Sequence, residues 1–468
     1  MASQLAVDST LLSRGAVRAE ARPLQFSASA LLRASLLTVL LAAPLAFGAV
    51  QAWAWGALAV AAFLLLFFWA IAGARRGVLR VLWSPLYLPG AFFFLLGAVQ
   101  FAARLTLDRV GTREALLKLS TGLILFFLAV QLFTAGPEGS PAPEGAAAEA
   151  RSGGQAAEPG ILPWTLVAYT FLLALFAILQ FFSSGGLIYG RVKTAGWTFG
   201  PYVNHNHYAG LMEMLIPLSF AGALPALRKH PAAAMLACAV LIPVVSLLLS
   251  GSRGGCIALL AEVLLAAVLI FCWGPLPARR LTALLGAGAL AAAALLFFWI
   301  APRQATERLT RLANVTPPPD VELGHRLEVG RDTLGIWRAH PWLGTGLGSF
   351  ESAFPRYQSF PTDLRWDHAH NDYLEALAET GLAGAAAILT ALLMFFRLAF
   401  RNLRQRLRQP DAWMPLAAAF GCCGILVHSL SDFNLHMPAN AAWFAVCAAW
   451  ATSSVAVTSD KRAVTSDE

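Results

Sequence analysis

Charge is what this sequence has least of. Asp, Glu, Lys and Arg make up 13% of its 468 residues, where soluble domains carry about 25%. With 58% hydrophobic residues and a mean hydropathy of +0.63, that deficit excludes a soluble globular protein and indicates an integral membrane protein. Lysine is almost missing, occurring only at Lys118, Lys193, Lys229 and Lys461, so arginine at any one site says little by its identity alone. The net charge of +8 sits between apolar runs, as cytoplasmic anchors do, which argues against a nucleic-acid-binding face. There is no C-x-x-C, and the six cysteines all fall within apolar runs. Neither a disulfide framework nor a zinc site follows from them. An internal repeat is also missing. So is a convincing cleavable leader: the polar stretch 1–30 is too long for one, and a second apolar run follows the first at once.

What is present is a series of apolar runs, each near the roughly 20 residues that a bilayer-crossing helix needs. They fall at 31–50, 53–72, 81–101, 115–134, 163–183, 206–227, 231–250, 255–273, 281–300, 376–397, 412–430 and 438–455. The expected fold is therefore all-α, a polytopic membrane bundle of about twelve helices. Arginine clusters at 75–80, 228–229, 279–280 and 401–408 occupy alternate loops and mark the inner side. The loop 102–114, with Arg104, Arg109 and Arg113, is outside by parity. Either it binds something anionic or a span is miscounted. Residues 1–134 thus hold four spans, 135–162 a disordered cytoplasmic linker of low complexity, 163–456 the main transmembrane domain, and 457–468 a cytoplasmic tail. The outer loop 301–375 is long, balanced in charge and rich in Trp, Pro and Gly, so a folded cap is expected there. Seven of the nine histidines lie in or beside outer segments, and histidine transfers protons best near neutral pH.

Four motifs carry the chemistry. "SGSRGG" (250–255) sets Arg253 between two apolar runs, where a charge costs roughly 2.5–3.5 kcal/mol near a helix centre and so tends to face a cavity. "NHNH" (204–207) opens a span with Asn204, His205, Asn206 and His207, while Arg191 and Lys193 add positive charge upstream. One of the asparagines is expected to be a plain helix cap. "GHRLEVGRDTLGIWRAHPWLGTGLG" (324–348) predicts an amphipathic helix from about Arg326 to His340, followed by a glycine turn. No strand precedes that turn, which excludes a dinucleotide fingerprint. "DHAHNDYLEAL" (367–377) places His370 at a helix start near Asn371, where the helix dipole favours a neutral imidazole. Asp367 or Asp372 is the expected orienting acid. Two H-x-H pairs, 205/207 and 368/370, invite a zinc reading. Nothing in the spacing shows three ligands converging, so no metal and no cofactor is expected. The acidic "DVE" (320–322) resembles a motif of metal-dependent membrane glycosyltransferases, although theirs lies in an early loop.

The order "TFGPYVNHNHYAG", "SRGG", "RLEVGRDTLGIWRAHPWLGTGLGSF", "DHAHNDYLEALAETGLAG" resembles the O-antigen ligase and Wzy polymerase superfamily of bacterial envelope glycosyltransferases. The likeness covers about 190–385; the flanking spans agree in number and hydropathy only. It implies a polyprenyl-diphosphate glycan donor and metal-independent transfer to an acceptor hydroxyl on a lipid, a growing polysaccharide or a protein. It also implies a place in lipopolysaccharide or exopolysaccharide biosynthesis at the bacterial inner membrane, with the site facing the periplasm. By the same resemblance His370 matches the proposed base, and Arg253 and Arg326 match diphosphate-binding arginines. His368, Asn371, Tyr373, Arg191, Lys193, His205 and Asn206 fall in the substrate-binding segments. The rival class is a transporter of lipid-linked glycan, whose expected signs, inverted repeats and helices broken at the midplane, are not evident.

Overall fold

In the computed structural model, residues 28–77, 79, 81–133, 161–194, 197–227, 233–273, 323–362, 365–406 and 413–453 are described. Long apolar stretches become helices wherever the backbone must satisfy its own hydrogen bonds away from water. The order is α1 (Ala28–Leu45), α2 (Ala52–Arg75), α3 (Tyr87–Ala102), α4 (Arg109–Phe133), α5 (Ile161–Ser183), α6 (His205–Leu227), α7 (Ala233–Leu249) and α8 (Arg253–Trp273). It continues with α9 (Leu323–Ala339), a single turn at Phe350–Ala353, α10 (Asp372–Arg406), α11 (Trp413–His428) and α12 (Pro438–Thr452). Among the described residues there are two isolated β-bridges and no β-strand.

Of these helices α1, α2, α4, α5 and α10 are long and apolar enough to cross a membrane. Helix α3, the Ala239–Leu249 part of α7, and α11 are apolar but shorter. The predicted spans therefore reappear as helices, though the count of twelve crossings does not follow from length and composition. The span expected at 281–300, the "DVE" stretch, most of the linker and the tail lie outside the described residues. Helix α5 begins at Ile161, so the last two positions assigned to the linker are helical.

Helix α6 sits at the centre, packed against α5, α7, α8, α11 and α12. It is buried without interruption from His205 to Ile216, as expected of a helix apolar on all sides. By contrast α10 exposes Leu389, Leu393 and Phe396, the side chains that would meet lipid. Several helix starts are fixed by side-chain caps. Asp108 accepts from Gly111 N (2.9 Å) at the start of α4, and that bond, ahead of burial, lowers the Asp108 pKa.

Helix α10 is broken at Gly381 (φ 61°, ψ −160°), a conformation open to glycine alone. The break leaves backbone groups without helical partners, and the glycine turn after α9 takes them up. Leu382 N and Ala383 N donate to Pro341 O (2.9 Å) and Trp342 O (3.1 Å). In return Thr345 N and Gly346 N donate to Ala378 O (3.0 Å) and Glu379 O (2.9 Å). Gln100 of α3 braces the joint through Leu343 O (2.6 Å), Glu379 O (3.0 Å) and Leu347 N (3.0 Å). The glycine turn that follows the cap helix is thus an interlock between the cap and the membrane bundle.

Candidate active site

The connector between α11 and α12, "SLSDFNLH" at 429–436, is where the separate motifs meet. Arg326 on α9 donates from Nη1 to Ser431 O (3.1 Å), and its Nε is buried with no partner among the described residues. Asn371 Nδ2 donates to Leu430 O (2.8 Å), and Asp372 N to Ser429 O (3.0 Å). The SRGG turn arrives from the other side. Ser252 caps α8 by accepting from Gly255 N (3.1 Å), which makes Arg253 the first residue of that helix. A Cβ on Gly254 would collide with the His428 ring and Ser431 Oγ, and one on Gly255 would lie 2.7 Å from Ala209 Cβ. The glycines of this motif are therefore spaces through which α11 and α6 approach. Arg253 itself is exposed beside them.

His370 stands at the end of the cap with φ 50°, one residue before the cap of α10. Asn371 is that cap: its Oδ1 accepts from Tyr373 N and Leu374 N, both at 3.0 Å. The His370 ring is 13% exposed while its Nδ1 is buried, 3.6 Å from Asp432 Oδ1. His207 Nε2 lies 3.6 Å from the same oxygen. Burial alone would raise the Asp432 pKa, but His207 and His370 hold it well below the usual carboxylate range. The phenyl ring of Phe433 touches His368 (4.2 Å), His207 (4.7 Å) and His370 (4.9 Å). The acid beside His370 is therefore Asp432, which corrects the expectation of Asp367 or Asp372. Asp367 is exposed, and Asp372 binds His436 Nδ1 (2.7 Å).

His368 belongs to a second group. Its Nδ1 meets Glu375 Oε1 at 2.7 Å, and His436 Nε2 lies 3.2 Å from the same oxygen. Glu375 Oε2 accepts from Ala369 N (2.8 Å). Three possible ligand atoms of His368, Glu375 and His436 fall within 4.8 Å of one another, so a metal reading needs weighing. The 2.7 Å contacts are hydrogen-bond distances, and both nitrogens of His436 already face carboxylates. Burial would lower the His436 pKa, but Glu375 and Asp372 raise it from 6.5 to about 10. A doubly donating imidazolium satisfies these groups without an ion. Neither H-x-H pair supplies two ligands to one point. The stabilisation from His436 should be complete below pH 6.5 and lost as pH rises towards about 10. The Tm gap between the parent and His436→Gln should therefore narrow over that interval. A gap that widens with pH would contradict the assignment.

Beside both groups lies a cavity of about 1010 Å³. Its lining is mixed, polar at Asn204, His207, Asp367, His368, Glu375 and His436 and apolar at Leu58, Phe93, Leu123, Phe126, Leu392 and Phe395. The remaining sequence-derived residues take distinct places. Asn204 caps α6 by accepting from Asn206 N (2.8 Å), the capping role expected of one asparagine. Asn206 is buried, and His205 packs its ring on Trp197 at 4.7 Å. Tyr373 donates to Leu426 O (2.7 Å) and lines the cavity. Arg191 on the 188–192 turn and Lys193 just after it are exposed and are not part of the cavity wall.

Residues 238–389 match the family model described as O-antigen ligase. Over this third of its length the chain is similar to O-antigen ligases. The matched stretch runs from α7 into α10 and contains SRGG, Arg326 and the HAHND segment, in agreement with the resemblance read from the motifs. It leaves out α6 and the 429–436 connector. No curated protein matches the chain. The apolar helices are those of a multi-pass membrane protein, and over the matched stretch the chain is similar to the O-antigen ligase/polymerase family, whose members are glycosyltransferase-type enzymes of polysaccharide biosynthesis.

Proposed function

We propose that this protein transfers a glycan from a polyprenyl-diphosphate carrier to an acceptor hydroxyl, without a metal. The observation that carries the reading is the meeting of His370, Arg326 and the SRGG turn on one connector near a cavity whose lining is part apolar and part polar. The apolar lining suits a polyprenyl chain, and the polar lining suits its head group. His370 takes the acceptor proton as the hydroxyl oxygen attacks the anomeric carbon, and Asp432 stabilises the imidazolium that forms. The bond to the diphosphate breaks, and Arg253 and Arg326 receive its charge by paired N–H donation. His207, His368 and Tyr373 form part of the cavity wall, His205, Asn206 and Asn371 hold the segments behind it, and Arg191 and Lys193 offer positive charge outside it.

Purified protein given labelled polyprenyl-diphosphate glycan and acceptor tests this directly. Transfer should survive exhaustive EDTA treatment, and loss restored specifically by zinc or magnesium would instead favour an ion at His368, Glu375 and His436. Glycan profiling of a deletion strain separates the ligase reading from a polymerase or a protein O-oligosaccharyltransferase. Loss of capped lipopolysaccharide, of chain length or of glycoprotein are three distinct outcomes. A transporter of lipid-linked glycan would leave the purified protein inactive in transfer.

The cap is assigned to the periplasmic face of the inner membrane, with both termini inside, on the alternation of basic loops. Arg365 is exposed on the cap. In a background lacking the native cysteines, Arg365→Cys should react with an impermeant maleimide in intact spheroplasts. Labelling only after permeabilisation would reverse the orientation.

A further inference from the structure

The α3–α4 loop breaks the positive-inside pattern, and the fold joins it to the cap. Helix α3 ends at Ala102 and α4 starts at Arg109, so no uncounted span intervenes. The loop is tied to the cap: Leu107 N donates to Thr345 O (2.9 Å), and Ser352 Oγ to Asp108 Oδ2 (2.9 Å). Its arginines therefore lie on the cap side of the bundle.

Arg104, Arg109 and Arg113 are all exposed, and among the described residues none forms an ion pair. Arg104 holds a left-handed backbone, φ 58°. The Arg109 guanidinium lies over the Phe101 ring, 5.0 Å from its centroid, and Arg113 follows one turn later on the same face of α4. Leu105, Leu107 and Val110 stand among them, exposed by 50%, 57% and 66%. Basic and apolar side chains are thus interleaved where a membrane-crossing helix leaves the bilayer.

We propose that this patch binds the anionic headgroup of a bilayer phospholipid. Arginine presents a planar fork that matches phosphate oxygens. The exposed leucines and valine favour a ligand that brings acyl chains with its phosphate, over an inorganic anion or an acidic protein. Juxtamembrane basic residues attract anionic lipid in this way. The opposite face of the same turns, Gly111, Glu114, Ala115 and Lys118, lines the cavity. A lipid held at the arginines steadies the first turns of α4 and hence that wall. The proposal does not depend on glycosyl transfer.

The test uses full-length protein reconstituted with photoactivatable phosphatidylglycerol or with phosphatidylcholine of the same acyl chains, and maps the labelled peptides. In the parent protein, labelling of residues 101–113 should be about fivefold or more higher with phosphatidylglycerol. The triple variant Arg104→Gln, Arg109→Gln, Arg113→Gln should fall to the phosphatidylcholine level. The corresponding triple lysine variant should keep most of the preference, and it serves if the glutamine variant does not fold. Equal labelling by the two lipids in the parent overturns the proposal. So does a phosphatidylglycerol preference on 101–113 that survives the glutamine substitutions.

Discussion

Protein carrying His370→Ala should transfer glycan about 10²–10⁴ times more slowly than the parent, the usual cost of removing a general base. The substitution removes ring packing on Trp366 and Phe433 but breaks no short hydrogen bond, because the Nδ1 of His370 faces Asp432 at 3.6 Å. Its backbone is left-handed (φ 50°), a region that asparagine tolerates better than alanine. His370→Asn is therefore the cleaner variant: it keeps the turn and removes the base. Expression and donor binding should stay near the parent level in both. Asp432→Asn should slow transfer as well, by removing the charge that stabilises the imidazolium. His368→Ala should cost much less, since that ring is held by Glu375 in the neighbouring group. A silent His370→Asn beside a dead His368→Ala would move the base to the cavity wall. Two silent variants would place it elsewhere altogether.

Arg253→Ala should cost about 10²–10³ in transfer rate, comparable to the loss of one donor to a developing negative charge. The arginine is exposed at the first position of α8, so its removal empties no packed core and leaves no buried group stranded. A large effect on rate would then report on the reaction and not on folding. Arg253→Lys keeps the charge but loses the two-pronged fork, and should remain impaired. Transfer at the parental rate by Arg253→Ala, at normal expression, would reduce this residue to a membrane anchor.

The helices and the order of the motifs were legible because apolar length and chain order are properties of the sequence itself. The cap helix expected from Arg326 to His340 is observed at Leu323–Ala339, and the break before α10 comes where H-N-D-Y begins. The partners of those motifs were not legible. Asp432 and Phe433 sit in a short connector with no spacing signal, and they matter only because α11 and α12 carry that connector under the cap. Glu375 looked like one acid among several in a helix, and His436 like one more outer histidine. Their pairing depends on where two distant chain segments fold. The one available signal was an aspartate and a histidine between two apolar runs, where polar groups are costly unless used. The role of the glycine turn at 344–348 was not legible for a related reason. Its purpose lies in the bonds it gives to a helix more than thirty residues away.

That joint at Gly381 has a mechanical consequence. A broken helix ordinarily supplies a pivot, since nothing resists bending where the ladder of bonds is interrupted. Here the groups freed by the break are claimed by Pro341, Trp342, Thr345 and Gly346, so bending in either direction would tear bonds from a neighbouring segment. The upper piece of α10, from Asp372 to Thr380, is spliced to the cap loop as firmly as to its own lower half. His370, Asn371 and Asp372 ride on that upper piece and turn with it as one body. The proton-accepting ring thus keeps its register to the membrane through a lap joint made of backbone alone.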